Sequence, residues 1–204
     1  MKSTRPWFEG WPLSVSLALA IALITSAIVL AGGASAPALG LAIRFTARTS
    51  FVLFGAAFTA SALSALAPNV WTRWQRRNGR QLGVAFAASH FTHAAAIGLF
   101  AALHPEAFHE HTQGMSRFPG LIAYVFIAAL AATSFDRSAA WLGRRSFRAL
   151  HTQGSFYIWL SFLNAFLTRA LHVAAGYWFP VALVLALLVV RLWAAVRARQ
   201  RVTA

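Results

Sequence analysis

Three histidines lie within apolar stretches of the sequence, His90 and His93 in one and His151 at the head of another, and His104 follows His90 by fourteen residues. Hydrocarbon makes ionisable side chains costly, so an imidazole inside such a stretch marks a functional site by default. On a helix, fourteen residues return His104 to nearly the direction of His90, about 21 Å further along the axis. Imidazoles from two helices can ligate the two faces of one haem iron, and the interior of a helical bundle is where such cofactors are held. The spacing suits two stacked haem sites, one near each leaflet, with His90 and His151 as the inner pair.

Other residues could serve the same chemistry. His93 stands three residues after His90, about 60° around a helix, and is either an alternative ligand or a hydrogen-bonding neighbour of the ligand. Arg80 and Arg148 precede the two histidine-bearing stretches. There they would pair with haem propionates through charge-assisted hydrogen bonds, or only fix topology. Gly83, Gly98 and Gly154 would let a flat ring approach the backbone. His104, Glu106, His109, Glu110 and His111 form a cluster that is either a metal or acceptor site or a solvated polar loop.

The elements that must position these groups follow from composition. Of 204 residues, 59% are hydrophobic and 11% charged, far from the roughly one quarter charged residues of a soluble domain. The chain reads as an all-α polytopic membrane protein. Apolar runs at about 12–32, 49–67, 81–104, 119–135, 147–168 and 175–196 each approach the roughly 20 residues that cross a bilayer. Six transmembrane helices forming a haem-binding bundle are expected, as a domain over 12–196 between an N-terminal segment, 1–11, and a basic tail, 197–204. Arg44 and Arg48 interrupt the approach to the second helix, so its outer end is expected in the headgroup layer. Lys2 and Arg5 precede a first run that ends in Ala34-Ser35-Ala36. That run exceeds the length of a signal peptide's apolar core and reads as a retained helix.

Loop charges set the orientation. Arg73, Arg76, Arg77 and Arg80 lie between the second and third runs, Arg137, Arg144, Arg145 and Arg148 between the fourth and fifth, and Arg197, Arg199 and Arg201 close the chain, whereas the segment 105–118 carries Glu106, Glu110 and Arg117. By the positive-inside rule both termini are cytoplasmic. Trp7, Trp11, Trp71, Trp74, Trp141 and Trp178 fall at the ends of runs, where amphipathic rings settle.

The same observations exclude several classes. The net charge of +14 resides in loops between apolar runs and not on one soluble face, so membrane lipid, not nucleic acid, is the expected partner. There is no cysteine, so no disulfide, thiolate-ligated cluster or covalently attached haem is available. No space remains for a nucleotide-binding domain, no Gly-rich phosphate loop is present, and no nucleophile–histidine–carboxylate set shares one depth. Electron donor and acceptor would be separate proteins or a quinone, and the chain an oxidoreductase component without a catalytic domain of its own.

Two segments resemble a known family. Arg76-Arg77-Asn78-Gly79-Arg80-Gln81-Leu82-Gly83-Val84-Ala85-Phe86, followed by His90, is similar to the approach to the third helix of the ferric reductase-like transmembrane domain. Thr133-Ser134, Leu142-Gly143 and Phe147-Arg148-Ala149-Leu150-His151 resemble its lead into the fifth. That family includes ferric reductases, NADPH oxidases and the haem-bearing membrane subunit of the bacterial periplasmic methionine-sulfoxide reductase system, and the resemblance covers about residues 40–190. It implies b-type haem between the third and fifth helices, with His90 and His151 matching the inner pair and His104 the outer ligand of the third helix. Where the family has its second fifth-helix histidine, thirteen residues after His151, this chain has Asn164. The expectation is one inner haem, with an outer haem on His104 alone, or completed by His172, as the alternatives. The implied function is electron transfer from a cytoplasmic or quinol donor to an acceptor on the outer side of a bacterial inner membrane.

Two other classes compete with it. A proton or metal transporter would use His90, His93 and His151 as its path, but Glu9, Glu106, Glu110 and Asp136 all fall in expected loops or helix ends, and proton carriers commonly bury a carboxylate. A cofactor-free assembly protein would use the histidines for interhelical hydrogen bonds and would be colourless.

Overall fold

Apolar chain in hydrocarbon has no water to satisfy its backbone, so it must pair its amides internally, and helices do this within one segment. The computed structural model, which describes residues 8–112 and 118–203, follows that rule: it is 91% helical, and the described residues contain no strand. In order come α1 (Gly10–Ala31), α2 (Ala36–Leu66), α3 (Val70–Arg77), α4 (Gly79–Leu103), α5 (Pro105–Thr112), α6 (Phe118–Ala132), α7 (Asp136–Leu142), α8 (Arg144–His172), a 3-10 turn (Ala175–Tyr177) and α9 (Trp178–Thr203). Lys2, Arg5, Trp7, Arg117 and the side chain of His111 lie outside the described residues.

Four segments are long and apolar enough to cross a membrane: α1, α2, α4 and Ala175–Arg201, which contains α9. With 15 residues α6 spans about 22 Å, short of a hydrocarbon layer of roughly 30 Å. It supplies a fifth crossing only if taken together with α7, from which it is bent by 109°. At 29 residues α8 has the length of a span but not the apolarity, because Arg144, Arg145, Arg148, His151, Thr152, Gln153 and Arg169 punctuate it.

Three expectations change in detail. The second helix begins at Ala36, not near 49, because Arg44 and Arg48 share one exposed stripe while Leu39, Ala42, Thr46 and Ser50 are fully buried on the other. The basic segment after it holds α3, whose N-terminus closes a capping box between Asn69 and Thr72. The acidic segment 105–118 holds α5.

The chain divides into two compact units, Met1–Phe54 with Gln81–Ser116 and Gly55–Arg80 with Arg117–Ala204. In the first, the Ser14 hydroxyl of α1 donates to the Gln81 carbonyl of α4 at 3.0 Å, and Phe54 packs on Phe86 with centroids 5.4 Å apart. In the second, the Trp159 indole N–H of α8 donates to the Val184 carbonyl of α9 at 2.8 Å. On another face of α8, Gly154 lies against Phe126 and Leu130 of α6, where a Cβ would meet Phe126 Cδ1 at 3.0 Å. The turn from α7 into α8 passes through Gly143 at φ 76°, a left-handed conformation that suits a residue without a Cβ.

Candidate functional site

In the first unit, α4 carries His90 and His93 with ring centroids 5.4 Å apart, and His90 also faces the Phe86 ring at 5.5 Å. Both imidazoles are half-buried. The protonation of His93 follows from its neighbours on α2. Its Nδ1 lies 3.1 Å from the Ile43 carbonyl oxygen and 3.0 Å from Thr46 Oγ1. A carbonyl only accepts, and the Thr46 hydroxyl uses its single hydrogen on the Ala42 carbonyl at 2.8 Å. Nδ1 therefore carries the proton and donates, and in the neutral ring the lone pair resides on Nε2. A backbone carbonyl holding one ring N–H is the usual way a ligating imidazole is oriented.

One turn earlier on α4 a hydroxyl seam joins the same two helices. Ser89 Oγ lies 2.9 Å from Ser50 Oγ and 3.1 Å from Thr49 Oγ1. Ser89, Ser50 and Thr46 are fully buried, so each hydroxyl needs these partners. Small hydroxylated residues let α2 and α4 approach closely while satisfying their own polar atoms.

His104 does something different. Its Nε2 lies 2.9 Å from the Ala34 carbonyl and must donate to it, which ties the end of α4 to the turn between α1 and α2. Ligation of a metal through Nε2 would require that bond to open. Of its acidic-segment neighbours, Glu106, His109 and Glu110 are exposed on α5. Among the described residues, no group of three or more His, Asp or Glu side chains is placed to hold a metal ion.

The second unit contains His151, on the second turn of α8. Its ring stacks on Phe147 at 4.0 Å, and its Nε2 lies 3.0 Å from Thr133 Oγ1 of α6. Thr133 gives its hydrogen to the Ala129 carbonyl at 2.7 Å, so His151 donates from Nε2. That bond, like the one at His104, must be released before Nε2 can ligate.

Arg80 meets a carboxylate within the protein: it pairs with Asp136 at the start of α7 at 2.6 Å, with both groups largely exposed. A haem propionate would compete with that partner. Arg148 is exposed on the first turn and a half of α8. Asn164 and His172 are exposed on α8, Gly98 is exposed on α4 and Gly83 half-buried. The structure thus brings His90 together with His93 in one unit, and places His151 with Thr133, and Arg80 with Asp136, in the other.

Sequence reasoning missed three participants. Thr46 and Ser89 were visible only as hydroxyls in apolar runs, though their spacing to Ser50 and His93, four residues in each case, is that of one helix face. Arg191, within the final apolar run, was legible as an unexplained charge. Set against known proteins, the chain matches no family model, no curated protein and no solved structure.

Proposed function

We propose that this chain is a membrane electron-transfer protein that holds b-type haem through histidine. It would relay electrons from a cytoplasmic or quinol donor to an acceptor on the outer side, as a subunit of a ferric reductase-like system in a bacterial inner membrane. In this reading α8 is the sixth crossing, with His151 half-buried against Thr133 of α6, and both termini are cytoplasmic. His90 and His151 would hold the haem iron, Arg148 would pair with a propionate, and Arg80 would do so by leaving Asp136. The haem, when bound, supplies the one-electron chemistry. The protein residues hold the iron, fix the ring protons and surround the site with apolar side chains.

The observation that carries the reading is the imidazole pair on α4, His90 and His93 with ring centroids 5.4 Å apart inside an apolar helix, the second with its Nδ1 proton given to the Ile43 carbonyl. The donor set fits haem, which asks for imidazole nitrogens and no acid. Carboxylates stand elsewhere: Glu9 precedes α1, Glu106 and Glu110 lie on exposed α5, and Asp136 pairs with Arg80. A proton or metal carrier built on these histidines would lack the buried acid such proteins commonly use.

The geometry of His93 also favours a variant of the proposal, in which His93 and not His90 is the α4 ligand. The test separates them. Detergent-purified protein expressed with ample haem is read by its oxidised and dithionite-reduced absorption spectra, with haem per chain measured as the pyridine haemochrome. A b-type spectrum near one haem per chain, lost in His90→Ala and His151→Ala but kept in His93→Ala, supports the axial pair as stated. Loss in His93→Ala with retention in His90→Ala transfers the role to His93. A colourless protein overturns the haem reading.

A further inference from the structure

Arg191 stands in the apolar segment Ala175–Arg201, six residues before Arg197, or about 9 Å along a helix. Three helices of the second unit meet around it. Its guanidinium carbon lies 4.3 Å from the centroid of the Phe58 ring of α2 and 5.0 Å from that of Phe156 of α8, and these two rings pack edge to face at 5.7 Å. Its Nη1 donates one long hydrogen bond, 3.4 Å, to the Phe58 carbonyl. The surroundings are built tightly: Gly55, one turn from Phe58, lies against Leu187, where a Cβ would meet its methyl at 3.3 Å.

A guanidinium keeps its charge under all ordinary conditions, and an intramembrane charge pairs with an opposite one or with backbone carbonyls, of which Arg191 has one at the long distance of 3.4 Å. Aromatic faces and a carbonyl offer partial charges only. Among the described residues of this unit the sole carboxylate is Asp136, already paired with Arg80. Both rings lie to one side of the guanidinium, their centroids 4.3 and 5.0 Å from its carbon and 5.7 Å from each other, while its planar fork of five N–H donors has the one long bond. That fork fits an oxyanion taken in two parallel hydrogen bonds.

We infer that Arg191 is the recognition residue of a membrane-embedded oxyanion site, taking a phosphate or carboxylate in the leaflet nearer Arg197, Arg199 and Arg201. Phe58 and Phe156 hold the fork in place. The anion comes either from a phospholipid headgroup or from the acid substituent of a bound cofactor. Only the cofactor source rests on the haem reading above.

The experiment titrates delipidated full-length protein in detergent with two probes, phosphatidylglycerol followed by native mass spectrometry and haemin followed by absorption, using wild type, Arg191→Lys and Arg191→Gln. Arg191→Lys keeps the charge and loses the fork; Arg191→Gln loses both. Saturable binding of phosphatidylglycerol to wild type, weakened at least tenfold in Arg191→Gln and less in Arg191→Lys, assigns a lipid headgroup. The same ranking for haemin alone assigns a cofactor acid. Haemin binding that is absent throughout while the lipid ranking holds leaves the site standing without the haem reading. Equal affinities across the three proteins overturn the proposal, as does wild type that saturates with neither probe, a result that does not depend on how the variants fold.

Discussion

Replacing Thr46 with valine isolates the tautomer argument. Valine keeps the shape of threonine, so no cavity opens, and the amide of residue 46 continues the helix. What disappears is one of two acceptors for the His93 Nδ1 proton, 3.0 Å away, while the Ile43 carbonyl at 3.1 Å remains. A net hydrogen bond contributes about 0.5–1.5 kcal/mol, and interhelical polar contacts in membranes average about 0.6 kcal/mol. Thr46→Val should therefore cost about 0.5–1 kcal/mol, with the proton still on Nδ1, since a carbonyl can only accept. A double-mutant cycle with His93→Phe, followed by denaturant unfolding in mixed micelles, should return a coupling of about 0.6 kcal/mol. Histidine 15N NMR of the cofactor-free protein reads the tautomer directly. A coupling indistinguishable from zero, or a His93 ring protonated on Nε2 alone in the wild type, would refute the reasoning.

Other substitutions probe the frame around the histidines. Gly154→Ala places a Cβ 3.0 Å from Phe126 Cδ1 and 3.3 Å from Leu130 Cδ1. Its helix-propensity gain of roughly 1 kcal/mol is opposed by a packing strain of about 1–3 kcal/mol, so the melting temperature should fall, and fall further for Gly154→Leu. His104→Ala removes the bond to Ala34 at 2.9 Å and should cost about 1 kcal/mol, with faster hydrogen exchange confined to the turn between α1 and α2. Asn164→Ala alters an exposed side chain and should leave stability within about 0.5 kcal/mol and haem content unchanged; haem loss there would make Asn164 part of the site.

Much of the architecture was readable because hydropathy and helical period are local properties. The third run, 81–104, became α4 almost residue for residue, since no Asp, Glu, Lys or Arg interrupts it. The second run was cut short because Arg44 and Arg48 look disruptive in a linear scan, whereas on a helix both occupy the exposed stripe. The fourth run, 119–135, became α6, which stops at Ala132, while α7, beyond the turn at Thr133-Ser134-Phe135, fell in an expected loop. The histidines could be picked out by their cost in hydrocarbon. Their protonation could not, because it depends on where Thr46 and Thr133 send their hydroxyl hydrogens, a matter of tertiary neighbours. Likewise the position of Arg191 in the sequence announces a charge, while the two rings that lie against it are separated from it by 133 and 35 residues.

The hydroxyl seam between α2 and α4 also acts as a ruler. Apolar helices in contact can slide past one another by a turn, about 5.4 Å, with little change in buried surface, since one small aliphatic ridge fits another nearly as well. Ser50, Thr49 and Ser89 remove that freedom: a shift of one turn would set fully buried hydroxyls against methyl groups and forfeit the bonds at 2.9 and 3.1 Å. A single buried polar contact of this kind fixes register in other helical assemblies at some expense in stability. The seam therefore sets the height of His93 along α2 to within the tolerance of a hydrogen bond, a few tenths of an ångström. The axial position of its imidazole is thereby inherited from the hydroxyls of Thr49, Ser50 and Ser89.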